Sequence, residues 1–371
     1  MANFPTLKYS KKQVIKAGEA LASPMPWDPS KREEIAEVFR IAHDWRASHA
    51  FPMRKIRFEL GGKIRGVKGS GTTAARLKRM RSIRKKLGRL STTLVQIQDI
   101  AGCRAILNSM ADVHAVAARY RDGASVHVIR DDRSYIENPK AGGYRSHHIV
   151  LNFQGVDEEA IYNDRRVEIQ LRTHLQHAWA TAVEAVGLVR AEDLKAGEGD
   201  ADWLRLFKLV SSEFAEHEDC APVPGTGTRA ERISEIADLN KKLGAVSTLE
   251  NLRQAYRFAT NSGSLYNKYF LISYDHEKHT VKIVGYNNAV QSADQYSKQE
   301  AAKDSINTVL VEVDTLEDLR IAYPNYYLDV RLFAKNIDNI VRGYPILNGD
   351  NSAVEEPLVS RKYDLSWWFK K

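Results

Sequence analysis

From residue 9 to about 50, apolar positions recur at three- and four-residue intervals, as in KREEIAEVFRIAHDWRASHA, and this spacing predicts helices. Ser10 is placed to cap a helix starting near Lys11, and Pro24 and Pro26 interrupt the helical pattern. Residues 52–72, with GGKIRGVKGSG, read as a turn-rich connection, and a helix is expected over about 73–88 with Leu77, Met80, Ile83 and Leu87 as its buried stripe. The pattern then changes to short apolar runs that alternate with helical stretches. DIAGCRAIL, ASVHVIRD, HHIVLNF and RRVEIQLRT read as strands, and MADVHAVAARY and THLQHAWATAVEAVGLV as helices. Residues 190–245 are again helical, broken by CAPVPGTGTRA. KYFLISYD, TVKIVGY and NTVLVEVD predict three more strands, and LEDLRIAYPNYYLDVRLFAKNIDNIV a helical stretch kinked at Pro324. Trp367, Trp368 and Phe369 at the end are expected to pack back on the core. The expected class is α+β, a mixed-sheet core flanked by helices and followed by a smaller α+β module. The divisions are a helical region over 1–50, a core over 51–190, a helical extension over 191–245 and the module over 246–371.

The distribution of charge changes this picture more than its sum of +8. Residues 51–90 hold 14 Lys or Arg and one acidic residue, Glu59, so this segment is +13 and the remainder −5. A local field of that sign attracts phosphates, nucleotides or nucleic acid, the plainer alternative being a solvated basic helix. The two cysteines, Cys103 and Cys220, are too few for a zinc cluster or a disulfide framework and are compatible with a reducing cytosol. No window of about 18 apolar residues predicts a membrane span or a secretory signal. A cytoplasmic protein without membrane association is expected.

No P-loop and no GxGxxG lies between a strand and a helix, so those phosphate cradles are excluded. Instead two separated carboxylates, Asp99 and Glu168, flank a basic, Gly-rich loop, RSYIENPKAGGYRSHHIV. Carboxylate oxygens suit a magnesium ion that also binds nucleotide phosphates. Arg76, Lys78, Arg79 and Lys86 are placed to hold a triphosphate, and Arg133, Lys140 and Arg145 to bracket another phosphate. Arg104 lies five residues after Asp99. Extended residues at that spacing face opposite sides, so the strand must start after Asp99, or one of the two must work from its end. Gly142 and Gly143 let the backbone turn, which would set Tyr144 to stack on a base. His148 is positioned to bind a phosphate or orient an acceptor. Glu168, Gln170 and Arg172 alternate along one strand and share a face, leaving Val167, Ile169 and Leu171 for the core. Each residue alone also reads as an ordinary ion pair or loop anchor; together they point to phosphoryl or pyrophosphoryl transfer.

At RLKRMRSIRKKL, DIAGCRAI, YIENPKAGGYRSHHIV and VEIQLRT with the following HAW, the chain resembles the RelA/SpoT-type synthetase domain over roughly residues 50–190. The resemblance implies transfer of pyrophosphate from ATP, with Mg2+, to a ribose 3′-hydroxyl. It implies that Arg76, Lys78, Lys86 and Arg104 grip ATP and that Asp99 and Glu168 manage the metal, Glu168 also helping to activate the hydroxyl. Tyr144 would stack on the acceptor base, with Lys140, Arg145 and His148 shaping the acceptor site and Gln170 and Arg172 supporting it. No hydrolase domain with paired metal histidines is expected ahead of this core.

The family's acceptors are GDP or GTP in alarmone synthetases and the 3′-terminal adenosine of tRNA in toxic members. Where the family has Ser-Leu-His, this chain has Ser146-His147-His148, a departure expected to alter the acceptor side. The +13 segment suits an RNA backbone, with Arg79, Arg81, Arg84, Lys85 and Arg89 as candidate RNA-binding residues. YSKKQVIKAGEALA and AYPNYYLDVRLF are similar to stretches of CapRel-type fused toxin–antitoxin proteins. That resemblance implies a C-terminal region that inhibits the core until a phage structural protein releases it, with Tyr323, Tyr326 and Tyr327 as candidate regulatory residues. A tRNA-directed pyrophosphokinase is the first expectation, a guanosine-nucleotide synthetase the second, and a non-catalytic nucleic-acid-binding or interaction protein the third.

Overall fold

The computed structural model describes residues 4–23, 29–123, 125–190, 192–254, 257–261, 267–275, 280–302, 306–313, 316–322 and 330–349. Pro24, Pro26, Tyr323, Tyr326 and Tyr327, and the terminal Trp367, Trp368 and Phe369, lie outside them. Helix α1 (Lys11–Ala22) starts as expected, with Ser10 and Gln13 in a reciprocal capping box. Helices α2 (Arg32–Ala47) and α3 (Ala50–Gly66) follow.

Helix α3 replaces the expected turn-rich connection. Met53, Ile56, Leu60 and Ile64 recur at helical spacing and are buried, whereas a side chain at Gly61 or Gly62 would meet only the Arg65 guanidinium. Each glycine costs about 1 kcal/mol of helix propensity, which burial of the apolar stripe offsets. The expected helix over 73–88 is in fact two elements, β1 (Gly71–Leu77) and α4 (Met80–Arg89). Met80, Ile83 and Leu87 are buried with α1 and α2, as the stripe requires, but Leu77 ends the strand and packs in a different cluster. Strand geometry wins over 71–77 because the segment pairs along its whole length with β2 (Ala101–Leu107), from Gly71 opposite Leu107 to Leu77 opposite Ala101.

The chain continues through α5 (Met110–Arg121), β3 (Val128–Ser134), β4 (His147–Asn152), β5 (Arg166–Thr173), α6 (His174–Arg190), α7 (Ala201–His217), α8 (Arg229–Leu243) and α9 (Ala245–Gln254). Then come β6 (Arg257–Asn261), β7 (Tyr269–Asp275), β8 (Thr280–Tyr286), α10 (Ala289–Ala302), β9 (Ile306–Glu312), α11 (Leu316–Ala322) and α12 (Arg331–Arg342). Strand β6 and helix α10 add to the expected elements. Among the described residues the strands form one mixed sheet in the order β3-β4-β5-β2-β1-β9-β7-β8-β6. The β2–β5 and β6–β8 pairs are parallel and the rest antiparallel. The later strands join the earlier ones at a short seam, where Ala75 and Arg76 of β1 pair with Glu312 and Val311 of β9. The architecture is α+β, a mixed sheet with helices on its faces.

One face of the β1–β5 half is apolar. Ala75, Cys103, Ala105, Ile149, Leu151, Val167, Ile169 and Leu171 pack there with the stripe of α3 and with Val113 and Val116 of α5. The other face carries polar side chains near its centre. Beside them Leu175, Trp179 and Val186 of α6 share a core with Phe207 of α7, Val309 and Val311 of β9, and Phe333 and Ile337 of α12. Among the described residues no helix is long and apolar enough to cross a membrane.

Candidate functional site

The strand registers set the site. Arg76, Gly102, Glu168 and Val150 lie opposite one another across β1, β2, β5 and β4, and Ala74, Arg104, Gln170 and His148 form the next rung. Because side chains alternate, Arg76, Arg104, Glu168, Gln170, Arg172 and His148 all stand on one face. Val167, Ile169 and Leu171 are fully buried on the other, as the alternation along β5 predicts. Gly102 leaves the floor open between Arg76 and Glu168, since a Cβ there would touch nothing nearer than the Arg76 carbonyl oxygen at 3.9 Å.

Five side chains tie down the half of this face expected to take the acceptor. Glu168 Oε1 lies 3.0 Å from His148 Nδ1, and Glu168 Oε2 accepts from Gln170 Nε2 at 2.6 Å. His148 Nε2 meets the Tyr144 hydroxyl at 2.8 Å. Arg172 Nη2 donates to Tyr144 at 2.7 Å and to Gln170 Oε1 at 3.0 Å. Burial alone would raise the Glu168 carboxyl, but the His148 and Gln170 hydrogen bonds hold it below its ordinary range. Burial would lower His148, but Tyr144 and Glu168 on either side raise it. Tyr144 is brought down to about 7: burial opposes ionisation, while Arg172, His148 and Lys195 favour it.

Tyr144 is 8% exposed, so its ring is enclosed in this conformation rather than presented as an open platform. The turn before it is tight, with Gly143 N–H donating to Lys140 O at 2.8 Å and Gly143 at φ +94°. A side chain on Gly143 would press on Ser211 of α7, whose hydroxyl donates to Gly143 O at 2.6 Å. Lys140 lies over Tyr135 and Tyr144, 4.6 and 5.3 Å from the ring centres.

The half expected to hold ATP is cationic. Asp99 precedes β2, which begins at Ala101, so it works from the strand's approach and shares no alternation with Arg104. Its two oxygens take Lys78 Nζ at 2.8 Å and Lys86 Nζ at 2.9 Å. Burial opposes its charge, but these ammonium groups overcome that and pull Asp99 down to about 2. Lys78, buried and crowded by Lys86 and Arg76, is itself shifted down. Asp99 is close enough to Glu168 to push its carboxyl upward by like-charge repulsion, against the hydrogen bonds that hold it down. Arg76, Arg104 and Lys195 more than offset the burial of Glu184 and hold its carboxyl well below its ordinary range; Lys195 Nζ lies 2.9 Å from Glu184 Oε1.

Some expected residues are placed elsewhere. Arg145 is 2% exposed on the opposite side of the sheet, donating to Ile136 O at 3.4 Å and lying beside Glu218 and Cys220. His147 also faces that side, with Nε2 2.7 Å from Asp132 Oδ1. The departure from Ser-Leu-His therefore does not enter the Glu168 network, contrary to its expected effect on the acceptor side. Arg79, Arg81, Arg84, Lys85 and Arg89 all lie on or next to α4. On α6, His174 reaches Asn108 at 3.3 Å, while His177 is buried with Nε2 3.0 Å from Ile321 O. Gly102, Glu184 and Lys195 stand at this face without having been among the expected residues. Glu184 follows His177 by two helical turns, a spacing that would have marked it; the open floor at Gly102 depends on register.

Asp99 and Glu168 fit a magnesium ion in donor type. Among the described residues no group of three or more His, Cys, Asp or Glu could enclose a metal. Magnesium is usually held by one or two carboxylates plus substrate phosphates, so two carboxylates suffice only when a nucleotide completes the shell.

An in-register sheet face with clustered cations, two carboxylates and a partly buried Tyr–His–Glu chain defines a candidate nucleotide-processing site. Residues 75–187, which span it, match the family model described as the region found in RelA / SpoT proteins. The chain is 37% identical over 111 residues to the GTP pyrophosphokinase YjbM of Bacillus subtilis, covering 29% of this chain and 51% of that protein. It is 30% identical over 115 residues to the GTP pyrophosphokinase YwaC of the same organism, covering 29% and 54%. It thus spans about half the length of these relatives. The crystal structure of the small alarmone synthetase 1 from Bacillus subtilis aligns with a TM-score of 0.39 at 21% identity, over 51% of this chain and 93% of that one.

Proposed function

We propose that the chain is an ATP-dependent pyrophosphokinase acting on a ribose 3′-hydroxyl, with the 3′-terminal adenosine of tRNA as acceptor, and that its C-terminal region restrains it. The observation that carries the transfer reading is the shared face on which Arg76 and Arg104 stand in register with Glu168 and His148. Arg76, Arg104, Lys78 and Lys86 hold the triphosphate. Each Glu168 oxygen uses one acceptor position on His148 or Gln170 and keeps another for the 3′-hydroxyl proton. The 3′-oxygen attacks the β phosphorus, the bond to the α-phosphate oxygen breaks, and AMP leaves. A bound Mg2+ supplies neutralisation of the phosphate charge. The protein's own contribution is mainly positioning and fixed charge.

Restraint is supported by what meets the donor half. Arg104 Nη1 donates to Ala322 O at 2.8 Å, and His177 meets Ile321 O at 3.0 Å, so the last carbonyls of α11 occupy a cation proposed for ATP. Tyr323, Tyr326 and Tyr327 follow directly in sequence. A phage structural protein as the releasing trigger rests on the resemblance to fused toxin–antitoxin proteins. The tRNA acceptor rests on that resemblance and on the basic α4. A second reading, GDP or GTP as acceptor, is favoured by the names of the two Bacillus relatives. The test supplies ATP labelled separately at the β and γ phosphates with tRNA, GDP or GTP. Both labels entering tRNA supports the first reading; both entering only guanosine nucleotides replaces it with the second; no transfer to any acceptor, either by the intact chain or by Glu312→Ala, which removes the Glu312–Arg57 pair where β9 meets β1, overturns the enzyme.

A further inference from the structure

The basic face of α4 is already occupied by carboxylates of the same chain. Asp193 pairs with Lys85 and with Arg89 Nη1, the latter at 3.2 Å, and Glu198 pairs with Arg89 Nη2. Lys85 and Arg89 are four residues apart, so they share a face of the helix, and their side chains remain 54% and 42% exposed. The loop that carries the two acids is firmly built. Leu194 is buried in the core cluster of α6 and α7. Gly197 has φ +82°, and Gly199 has φ +146° with Leu194 and Glu192 where a Cβ would be. Asp200 closes the loop by accepting the N–H groups of Asp202 and Trp203 at the start of α7.

We propose that residues 192–200 form an internal competitor for RNA, presenting the Asp193 and Glu198 carboxylates to α4 where backbone phosphates of an RNA acceptor would bind. This rests on the reading of α4 as an RNA surface. Charge complementarity selects the partner: a guanidinium and an ammonium one helical turn apart, bridged by a single carboxylate, match the demand of a phosphate. Exposed ion pairs are worth only about 0–1 kcal/mol each, so the acids yield to a polyanion that brings several charges at once. The loop raises the threshold for weak or short anions.

The test measures binding of deacylated tRNA to the full chain by fluorescence anisotropy at low and moderate salt. Asp193→Asn with Glu198→Gln is expected to tighten binding about threefold to thirtyfold at low salt, the range set by exposed pairs. The charge-matched control, Asp122→Asn with Glu158→Gln at exposed positions away from α4, is expected to change it little. Equal tightening by both would reduce the effect to net charge and overturn the proposal. No tightening, while Lys85→Ala with Arg89→Ala weakens binding, overturns the competitor and leaves the RNA surface standing. If that last pair leaves binding unchanged, α4 is not the RNA surface and the proposal falls with it.

Discussion

Glu312→Ala probes the seam between the two halves of the sheet. Glu312 ends β9, is 5% exposed, and faces Arg57 Nη1 of α3 at 3.5 Å and Arg54 Nε at 3.8 Å. Arg57 is 3% exposed, so this is a buried pair. Removing one partner of such a pair costs about 3–5 kcal/mol, because the other charge stays buried without it. The longer, more exposed Arg54 contact adds at most about 1 kcal/mol. That penalty applies while β9 lies against β1 and is relieved when they separate and Arg57 meets water. If half of it, about 2 kcal/mol, falls on the seam, the separated fraction rises about thirtyfold. The assay is label transfer from ATP, held well below its KM, by the full chain, read beside a thermal melt. A rate increase of at least tenfold is expected. A lower melting temperature with an unchanged rate refutes the reasoning, because the seam would then stabilise the fold without holding activity back. This substitution is a sharper test than deleting residues 246–371, which would strip Val309, Val311, Phe333 and Ile337 from the core they share with Val186 and Phe207.

Other outcomes follow from the site. Asp99 is drawn from 3.8 to about 2, so its folded form favours the charged state. It contributes roughly 2 kcal/mol above pH about 4 that is lost as pH falls through about 2; urea melts across that window should show a loss of stability that is smaller by about that amount in Asp99→Asn, the remainder coming from Glu168, Glu184 and the other lowered carboxylates. Tyr144 falls to about 7, so a tyrosinate absorbance step is expected near neutral pH and should vanish in Tyr144→Phe. Gly102→Val places a side chain on the open floor between Arg76 and Glu168. It should leave stability within about 1 kcal/mol, since Val suits a strand, and lower transfer at least tenfold; unchanged transfer would show that the floor is not where substrate lies.

Period-two alternation made β5 legible. Glu168, Gln170 and Arg172 share the polar face and their odd-numbered neighbours fill the core. The Ser10 cap and the Met80, Ile83 and Leu87 stripe were equally local signals. Two segments misled for opposite reasons. In 52–66 the glycine pair outweighed a helical apolar stripe that tertiary burial favours. In 71–77 the start of a basic helix was extended through a strand whose pairing partner lies near residue 100. His147 falls on the side opposite His148 by the same alternation along β4, whereas the place of Arg145, ahead of that strand, depends on tertiary packing beside Glu218 and Cys220. The same holds for Gly102, whose meaning comes from standing opposite Arg76 and Glu168.

The contacts of the C-terminal elements also predict the form that the proposed restraint would take. β9 pairs with Arg76 through Val311, and the end of α11 meets Arg104 and His177. These belong to the donor half or adjoin it. The acceptor half closes on itself through Tyr144, His148, Glu168, Gln170 and Arg172. A restraint seated on donor cations competes with ATP, because α11 carbonyls and triphosphate oxygens seek the same N–H groups. Releasing it should therefore lower the KM for ATP with little change in the KM for the acceptor. Initial rates of Glu312→Ala and of the unaltered chain, with each substrate varied in turn, separate the two cases. A fall confined to the acceptor KM would place the restraint on the Tyr144 side and reject the role given to Arg104.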